Sequence, residues 1–365
     1  MGRLRQLTLI AVLLAIVVFV IKNQKPSTMS TGKGLVLNRS WLVVNQNPIT
    51  PKKDVRPADQ TFLTFPEWFL VFSPAEQAAY LKINTSTTFP YMKHVDQLWK
   101  GYHVIYKQIK GTYKFNTDYH VMIWVIAVST TVEYSIKSLY ETIIGRLTNT
   151  SSNEEMTKED RLNESYINRY TIFIKDLPWY EYDFKHDLKG LWDGTSFLGP
   201  HFLRKIERKY YLTTELLAKS AYAYLIKSGT KSAYNTALLN TSVVIDKLPL
   251  NIHDVPEIKN IRQLTNGSVL MDLPRYDKFN SVVCRLAKEG VVFKEIAGNN
   301  GAIMMTVLTN KPLILDKYFK VLFTQPIETK PGLFRVALVT LVCKLNIVLL
   351  KMGSNHINIE HIYDY

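Results

Sequence analysis

The sequence predicts an α+β fold with an N-terminal transmembrane helix, a mainly helical middle domain and a C-terminal ferredoxin-like β-α-β-β-α-β sandwich. Three observations carry that prediction. Leu7 to Ile21 is an unbroken run of fifteen uncharged, almost wholly apolar residues. Residues 61–250 carry helix-period apolar patterns and helix-capping signals. From residue 251 the chain changes to short, branched apolar runs bounded by Gly and Asn.

Residues 1–22 read as a signal anchor. Arg3 and Arg5 precede the apolar run, and Lys22, Lys25 and Pro26 follow it. The run has the length of a signal h-region. A comfortable span needs about 20 residues, which Leu4 to Ile21 approaches if Lys22 snorkels. Thr28 and Ser30 match the small-residue cleavage pattern poorly, which favours retention over a cleaved leader. A buried core helix is the third reading, disfavoured by the bracketing basic residues. The flanking charges conflict over orientation. Lys22, Lys25, Lys33 and Arg39 would hold the following chain in the cytoplasm. The short Arg-containing head has the character of an n-region, and on balance favours export.

The formal net charge is +14, which points to an anionic partner or surface. With an anchor present, membrane lipid is the more economical partner and nucleic acid is disfavoured. Cys284 and Cys343 sit in no metal or redox spacing. They read as a disulfide or as two separate thiols.

Residues 23–60 read as a tether, punctuated by Pro26, Pro48, Pro51 and Pro57, with one short strand within Leu35 to Val44. The helical domain then spans 61–250. Ser73, Pro74 and Glu76 form a capping arrangement for a short helix over Ala75 to Lys82. Lys93, Lys100 and Lys107 recur every seven residues and drift only about 20° per repeat on a helix. Trp99, Tyr102 and Tyr106 interleave with them, and this stripe is the candidate membrane-surface contact. The alternatives are a solvated Lys face over packed aromatics, or a nucleic-acid groove. Gly111 ends this helix. Tyr119 to Leu147 reads as the longest helix, with Val121 to Val128 buried on every side. A second span there would be too short before Glu133. Glu133, Lys137 and Glu141 step by four, the spacing of helix-surface ion pairs. Glu154 to Arg161 reads as charged and exposed, and Phe202 to Ile226 as a helix that stops before Gly229.

The sandwich domain spans 251–365. Ser268 to Leu273 reads as a strand and Asp277 to Lys288 as a helix ending at Gly290. Val291 to Ala297 and Ala302 to Thr309 read as a hairpin turned by Gly298-Asn299-Asn300-Gly301. Lys320 to Thr324 is a short strand, Leu333 to Lys351 a helix and Ile357 to Tyr363 the closing strand. That order is ferredoxin-like.

The chain has no P-loop, dinucleotide fingerprint, H-E-x-x-H or nucleophile-elbow motif. No Cys/His set has zinc spacing. No metal ligand set or cofactor is therefore assigned. The weak catalytic candidates are Glu67, in an aromatic setting able to raise its pKa, and the group Glu181, Asp183 and His186, with Asp187 beside them. The bland reading of both is a capping or paired carboxylate among packed aromatics. His120 and Glu133 lie roughly 220° apart on one helix and cannot cooperate directly.

Thr64-Phe65-Pro66-Glu67-Trp68, Ser129 to Tyr134, Pro178 to Phe184 and the ending Glu360 to Tyr365 resemble segments of an uncharacterised bacterial membrane-anchored protein family. The resemblance implies a bacterial origin and an inner-membrane address, with one N-terminal hydrophobic segment. It transfers no activity and no catalytic residue.

The expectation is a single-pass inner-membrane protein whose bulk is periplasmic. It would act as an accessory or binding component toward lipid, a protein partner or a second copy. The competing expectation is an envelope enzyme acting on a lipid-linked or small-molecule substrate. That reading requires Glu67 or Glu181 to converge with His186 or His201.

Overall fold

The computed structural model describes residues 30–31, 37, 40–42, 45–151, 155–233, 239–249, 257–313 and 316–364. The expected anchor, residues 1–22, lies outside the described residues, as does most of the tether. The described chain is mixed helix and sheet, as the sequence predicts, and it divides into two compact units. A helical unit comprises Phe69–Asp96 and Trp124–Asn235. A sheet unit comprises Thr28–Trp68, Gln97–Ile123 and Thr236–Tyr365.

The helices in chain order are α1 (Gln60–Leu81), α2 (Tyr91–Ile109), α3 (Thr117–Tyr140), α4 (Arg146–Ser151), α5 (Lys158–Ile174), α6 (Phe184–Gly194), α7 (Phe202–Ala233), α8 (Asp277–Lys288) and α9 (Leu345–Ser354). α1 runs through Pro66 and Pro74, where the sequence favours a new helix starting at Ala75. Each proline removes one intrahelical donor and crowds the carbonyl four residues back, and the packing of buried Phe62, Phe65, Phe69 and Phe72 offsets that cost. A π-turn, Glu141–Gly145, joins α3 to α4, so this helical run reaches Ser151. α7 continues past Gly229 to Ala233. Thr157 and Asp160 form a complete capping box at the start of α5. Glu159 and Asp160 are buried there, not exposed as their charge predicts.

The strands are β1 (Ser30–Thr31), β2 (Asn240–Ile245), β3 (Lys259–Gln263), β4 (Val269–Pro274), β5 (Phe293–Ile296), β6 (Ala302–Thr309), β7 (Phe319–Pro326), β8 (Phe334–Leu341) and β9 (Asn358–Ile362). The tether strand is β1, ahead of the expected Leu35–Val44 segment, where Ser40, Trp41 and Leu42 form a turn and bend. β8 occupies the first half of what reads as a Leu333–Lys351 helix. Its branched run Val336-Ala337-Leu338-Val339 is buried on both faces of a sheet, and such a run has no period that separates strand from helix.

The strands form two antiparallel sheets, β3-β4-β2-β5 and β1-β7-β8-β6-β9. The expected β-α-β-β-α-β order survives only as β4-α8-β5-β6-α9-β9, preceded by β3 and interrupted by β7 and β8, and it does not make one ferredoxin-like sheet. β4 and β5 belong to one sheet, β6 and β9 to the other. Gly298 to Gly301 is accordingly a crossover between sheets, not a hairpin turn, because β5 pairs with β2 and β6 with β8 and β9.

The two sheets are a structural repeat. β2-β3-β4-α8-β5 and β6-β7-β8-α9-β9 share the strand order second-third-first-fourth. Both break register at the same place, between Val244 and Ile245 and between Thr306 and Val307. The buried helix residues Phe279, Val282, Val283 and Leu286 correspond to Leu345, Val348, Leu349 and Met352 at a constant offset. Both helices end alike. Gly290 and His356 adopt positive φ, and Val291 N donates to Leu286 O as Ile357 N donates to Met352 O. This is a left-handed helix stop. Both helices and both sheets feed one hydrophobic core.

Candidate functional site

In the helical unit the usual helix pattern is inverted. A surface helix ordinarily turns its charges outward. Here the charged residues of α3 and α7 face each other. Lys137 Nζ is 2.9 Å from both Glu133 and Glu215, and Lys219 Nζ is 3.3 Å from Glu133 and 3.1 Å from Glu215. Arg208 donates to Glu141 at 2.6 Å and to Ser86 at 2.7 Å, and pairs with Glu207. Arg204 donates to Asp160 at 2.7 Å and to the Gly145 carbonyl at 3.2 Å. The pairing order descends, with 133 and 137 against 219 and 215, and 141 against 208. α3 and α7 are therefore antiparallel neighbours joined by an ion-pair ladder.

Both arginines of the ladder are fully buried. Burial alone would raise the Glu133 carboxyl, but Lys137 and Lys219 outweigh it and hold it at about 2. The same two lysines lower Glu215 against its burial. The carboxylates in turn raise Lys137 and Lys219 well above the usual ammonium range. The Glu133, Lys137, Glu215 and Lys219 cluster is thus charged at neutral pH.

The opposite faces of these helices are apolar and exposed. Trp124, Val125, Val128, Val132 and Ile136 form the stripe on α3, and Ile143, Ile144 and Leu147 continue it. Leu203, Ile206, Tyr210, Leu217, Tyr224 and Leu225 form the stripe on α7, with Leu217 53% and Leu225 65% exposed. From Trp124 to Ile144 the exposed residues are uncharged, and exposed Arg146 is the first charge on the stripe, beside Leu147. At 1.5 Å per residue each stripe is about 35 Å long. The expectation that Val121 to Val128 is buried on every side is therefore corrected. Only Ile123 and Ala127 are wholly buried, while Val121, Trp124, Val125 and Val128 are exposed.

In the sheet unit the segments around Glu67 and Asp364 converge. Trp68 packs against His361 with ring centroids 3.5 Å apart and planes tilted by 31°. Phe65 packs edge-on against Tyr363, and Thr61 Oγ1 donates to the Tyr363 carbonyl. Tyr119 donates to Glu67 at 2.6 Å. Arg275 donates to Asp364 at 2.8 Å and lies over Tyr276, whose φ of 63° is uncommon for a residue with a Cβ. Burial raises both Glu67 and Asp364. The Tyr119 hydrogen bond opposes the first shift, and Arg275 opposes the second.

The other catalytic candidates from the sequence lie in the helical unit, each with partners of its own. Glu181 pairs with Lys227 at the surface. Asp183 caps α6 by accepting from His186 N. Asp187 binds Arg169 and Tyr182. His201 pairs with Glu155. No group of three or more potential metal ligands occurs among the described residues. On α2, Lys107 is exposed and Lys93, Trp99, Lys100 and Tyr106 are half-buried. Tyr102 is buried, 2.9 Å from His120 Nδ1, which withdraws it from the expected surface contact. Cys284 and Cys343 are separate thiols. No protein-family model, curated protein or solved structure matches the chain.

Proposed function

We propose that the protein is a membrane-anchored binding component whose helical unit rests against lipid through the outer faces of α3 and α7. The observation that carries this reading is the inverted helix pattern: paired charges inside, large uncharged side chains outside. Water would solvate the charges and expel the apolar stripes, so the arrangement suits an apolar neighbour. Among the described residues, no helix is long and apolar enough to cross a membrane. The reading is therefore a face laid against the bilayer, with Leu7 to Ile21 supplying the anchor. The net charge of +14 favours anionic headgroups.

Photo-crosslinking the full-length protein in native membranes with a diazirine-bearing phospholipid tests this. Adducts are expected on peptides covering residues 124–147 and 203–225. Adducts confined to the first 30 residues would reduce the protein to a simple tether, and adducts to another protein on those stripes would replace lipid with a protein partner.

A further inference from the structure

A cavity in the helical unit is lined by Phe69, Leu70, Ser73, Tyr134, Lys137 and Lys219, among others. Its volume is about 50 Å³. Ser73 Oγ, on its wall, lies 2.9 Å from His94 Nδ1 and 2.7 Å from the Tyr134 hydroxyl. On the far side of the imidazole, His94 Nε2 is 3.7 Å from Glu76 Oε2. From this geometry we propose that Ser73 is the nucleophile of a hydrolytic site for short-chain carboxylic esters, with His94 as general base and Glu76 as the residue that orients it.

Each role follows from position. Glu76 lies 3.7 Å from Nε2, beyond hydrogen-bond distance, so it acts on the ring through its charge, which favours the proton on Nε2 and leaves Nδ1 as the acceptor for Ser73. That is the base-plus-orienter logic of a serine triad, recognised by geometry and not by motif. Phe69 and Phe89 rings flank the imidazole and hold its plane. Pro74 follows Ser73 and cannot donate to the Leu70 carbonyl, so the helix is short of one hydrogen bond at the nucleophile. The Tyr134 hydroxyl, 2.7 Å from Ser73 Oγ, is the donor nearest the reacting atoms, while Lys137 and Lys219 on the same wall are already paired with Glu133 and Glu215. The cavity holds roughly three or four waters. It therefore suits an acetyl-sized acyl group and excludes a fatty acyl chain. The Glu133 side chain is 40% exposed and marks where the cavity reaches the surface.

The step balances without another reactant than water. Ser73 Oγ bonds to the acyl carbon as its proton passes to His94 Nδ1. The ester C–O bond breaks, and the leaving alkoxide takes that proton. Water then adds to the acyl-serine through the same base, releasing the acid and restoring the hydroxyl.

The test treats the full chain with a fluorophosphonate and, separately, follows p-nitrophenyl acetate hydrolysis. Wild type is expected to take one adduct, on Ser73, and Ser73→Ala to lose both adduct and turnover while still unfolding cooperatively, at a midpoint lowered by the loss of its two buried hydrogen bonds. His94→Gln is expected to slow labelling about 10²- to 10⁴-fold. Should that variant not fold, the wild-type rate against pH decides. It should rise through one ionisation as the imidazole loses its proton. Absence of a wild-type adduct, an adduct that persists in Ser73→Ala, or a rate indifferent to pH would overturn the proposal.

Discussion

Arg208→Met tests the buried ladder most severely. Arg208 is fully buried and holds Glu141, Glu207 and Ser86 together, with its guanidinium 4.8 Å from the Tyr211 ring centroid. Methionine fills part of the volume but supplies no charge and no donor. Glu141, itself 1% exposed, would then stay buried with only hydroxyl donors. Removing one partner of a buried pair costs about 3–5 kcal/mol, mostly because the other charge is left uncompensated. For a domain of 150–250 residues each kcal/mol moves the midpoint by roughly 2–4 °C, so the midpoint should fall by about 10 °C. Thermal unfolding in micelles, followed by circular dichroism, reads this. Arg208→Met combined with Glu141→Met removes that pair of charges, leaves Glu207 on Arg204 and should recover about 2 kcal/mol of the loss. A single-variant loss below about 1 kcal/mol, or a double variant equal to the sum of the singles, would show that the ladder is not a desolvated ion-pair network.

Gly101→Ala should destabilise the sheet unit by about 1–2 kcal/mol although alanine favours helix, because its Cβ would meet Phe65 Cε1 at 2.6 Å; urea unfolding checks the sign. Acid should act oppositely on the two units. Glu133 and Glu215 have folded pKa values below their unfolded ones, so their stabilisation is complete above about pH 4.5 and is lost as pH falls toward about 2. Glu67 and Asp364 are raised, so their ionisation penalises the folded state at neutral pH and the penalty is relieved as pH falls through the folded values. Hydrogen exchange resolved by segment should therefore show α3 and α7 loosening first in acid. Glu67→Gln, which can still accept from Tyr119, should stabilise the protein at pH 7 and lose that advantage in acid. A constant effect across pH would place the cause in packing and not in charge.

The α+β class and several element bounds were legible in the sequence. Asp277–Lys288 matches α8, because Gly290 stops it and its apolar residues keep one helical face. The repeat was not legible. Its two halves share burial pattern and register breaks, but only Lys278, Asn280 and Val282 recur in the second helix, as Lys344, Asn346 and Val348, while Phe279 answers to Leu345 and Leu286 to Met352, and so short a match is lost in a chain of this length. β8 was mistaken for helix because burial on both sheet faces erases the alternation that marks a strand. The inverted face of α3 was misread for a related reason. An apolar helix segment tells of an apolar environment but not of what supplies it, so Val121 to Val128 looked like protein core. The Glu133, Lys137 and Glu141 spacing was seen, yet it reads as a solvated stripe until Glu215, Lys219 and Arg208 are placed opposite. The Ser73, His94 and Glu76 grouping depends on two helices meeting, and no local motif announces it.

The outer face of α3 can be read directly through Trp124, which is 53% exposed. The full-length protein is reconstituted in bilayers with bromine on the acyl chains, and its fluorescence is compared with that of Trp124→Phe. If the face meets lipid, bromine should quench wild-type emission substantially, and the quenched component should vanish in the variant. Equal quenching of the two proteins, with Trp124 instead reached by aqueous iodide, would contradict the lipid-facing assignment.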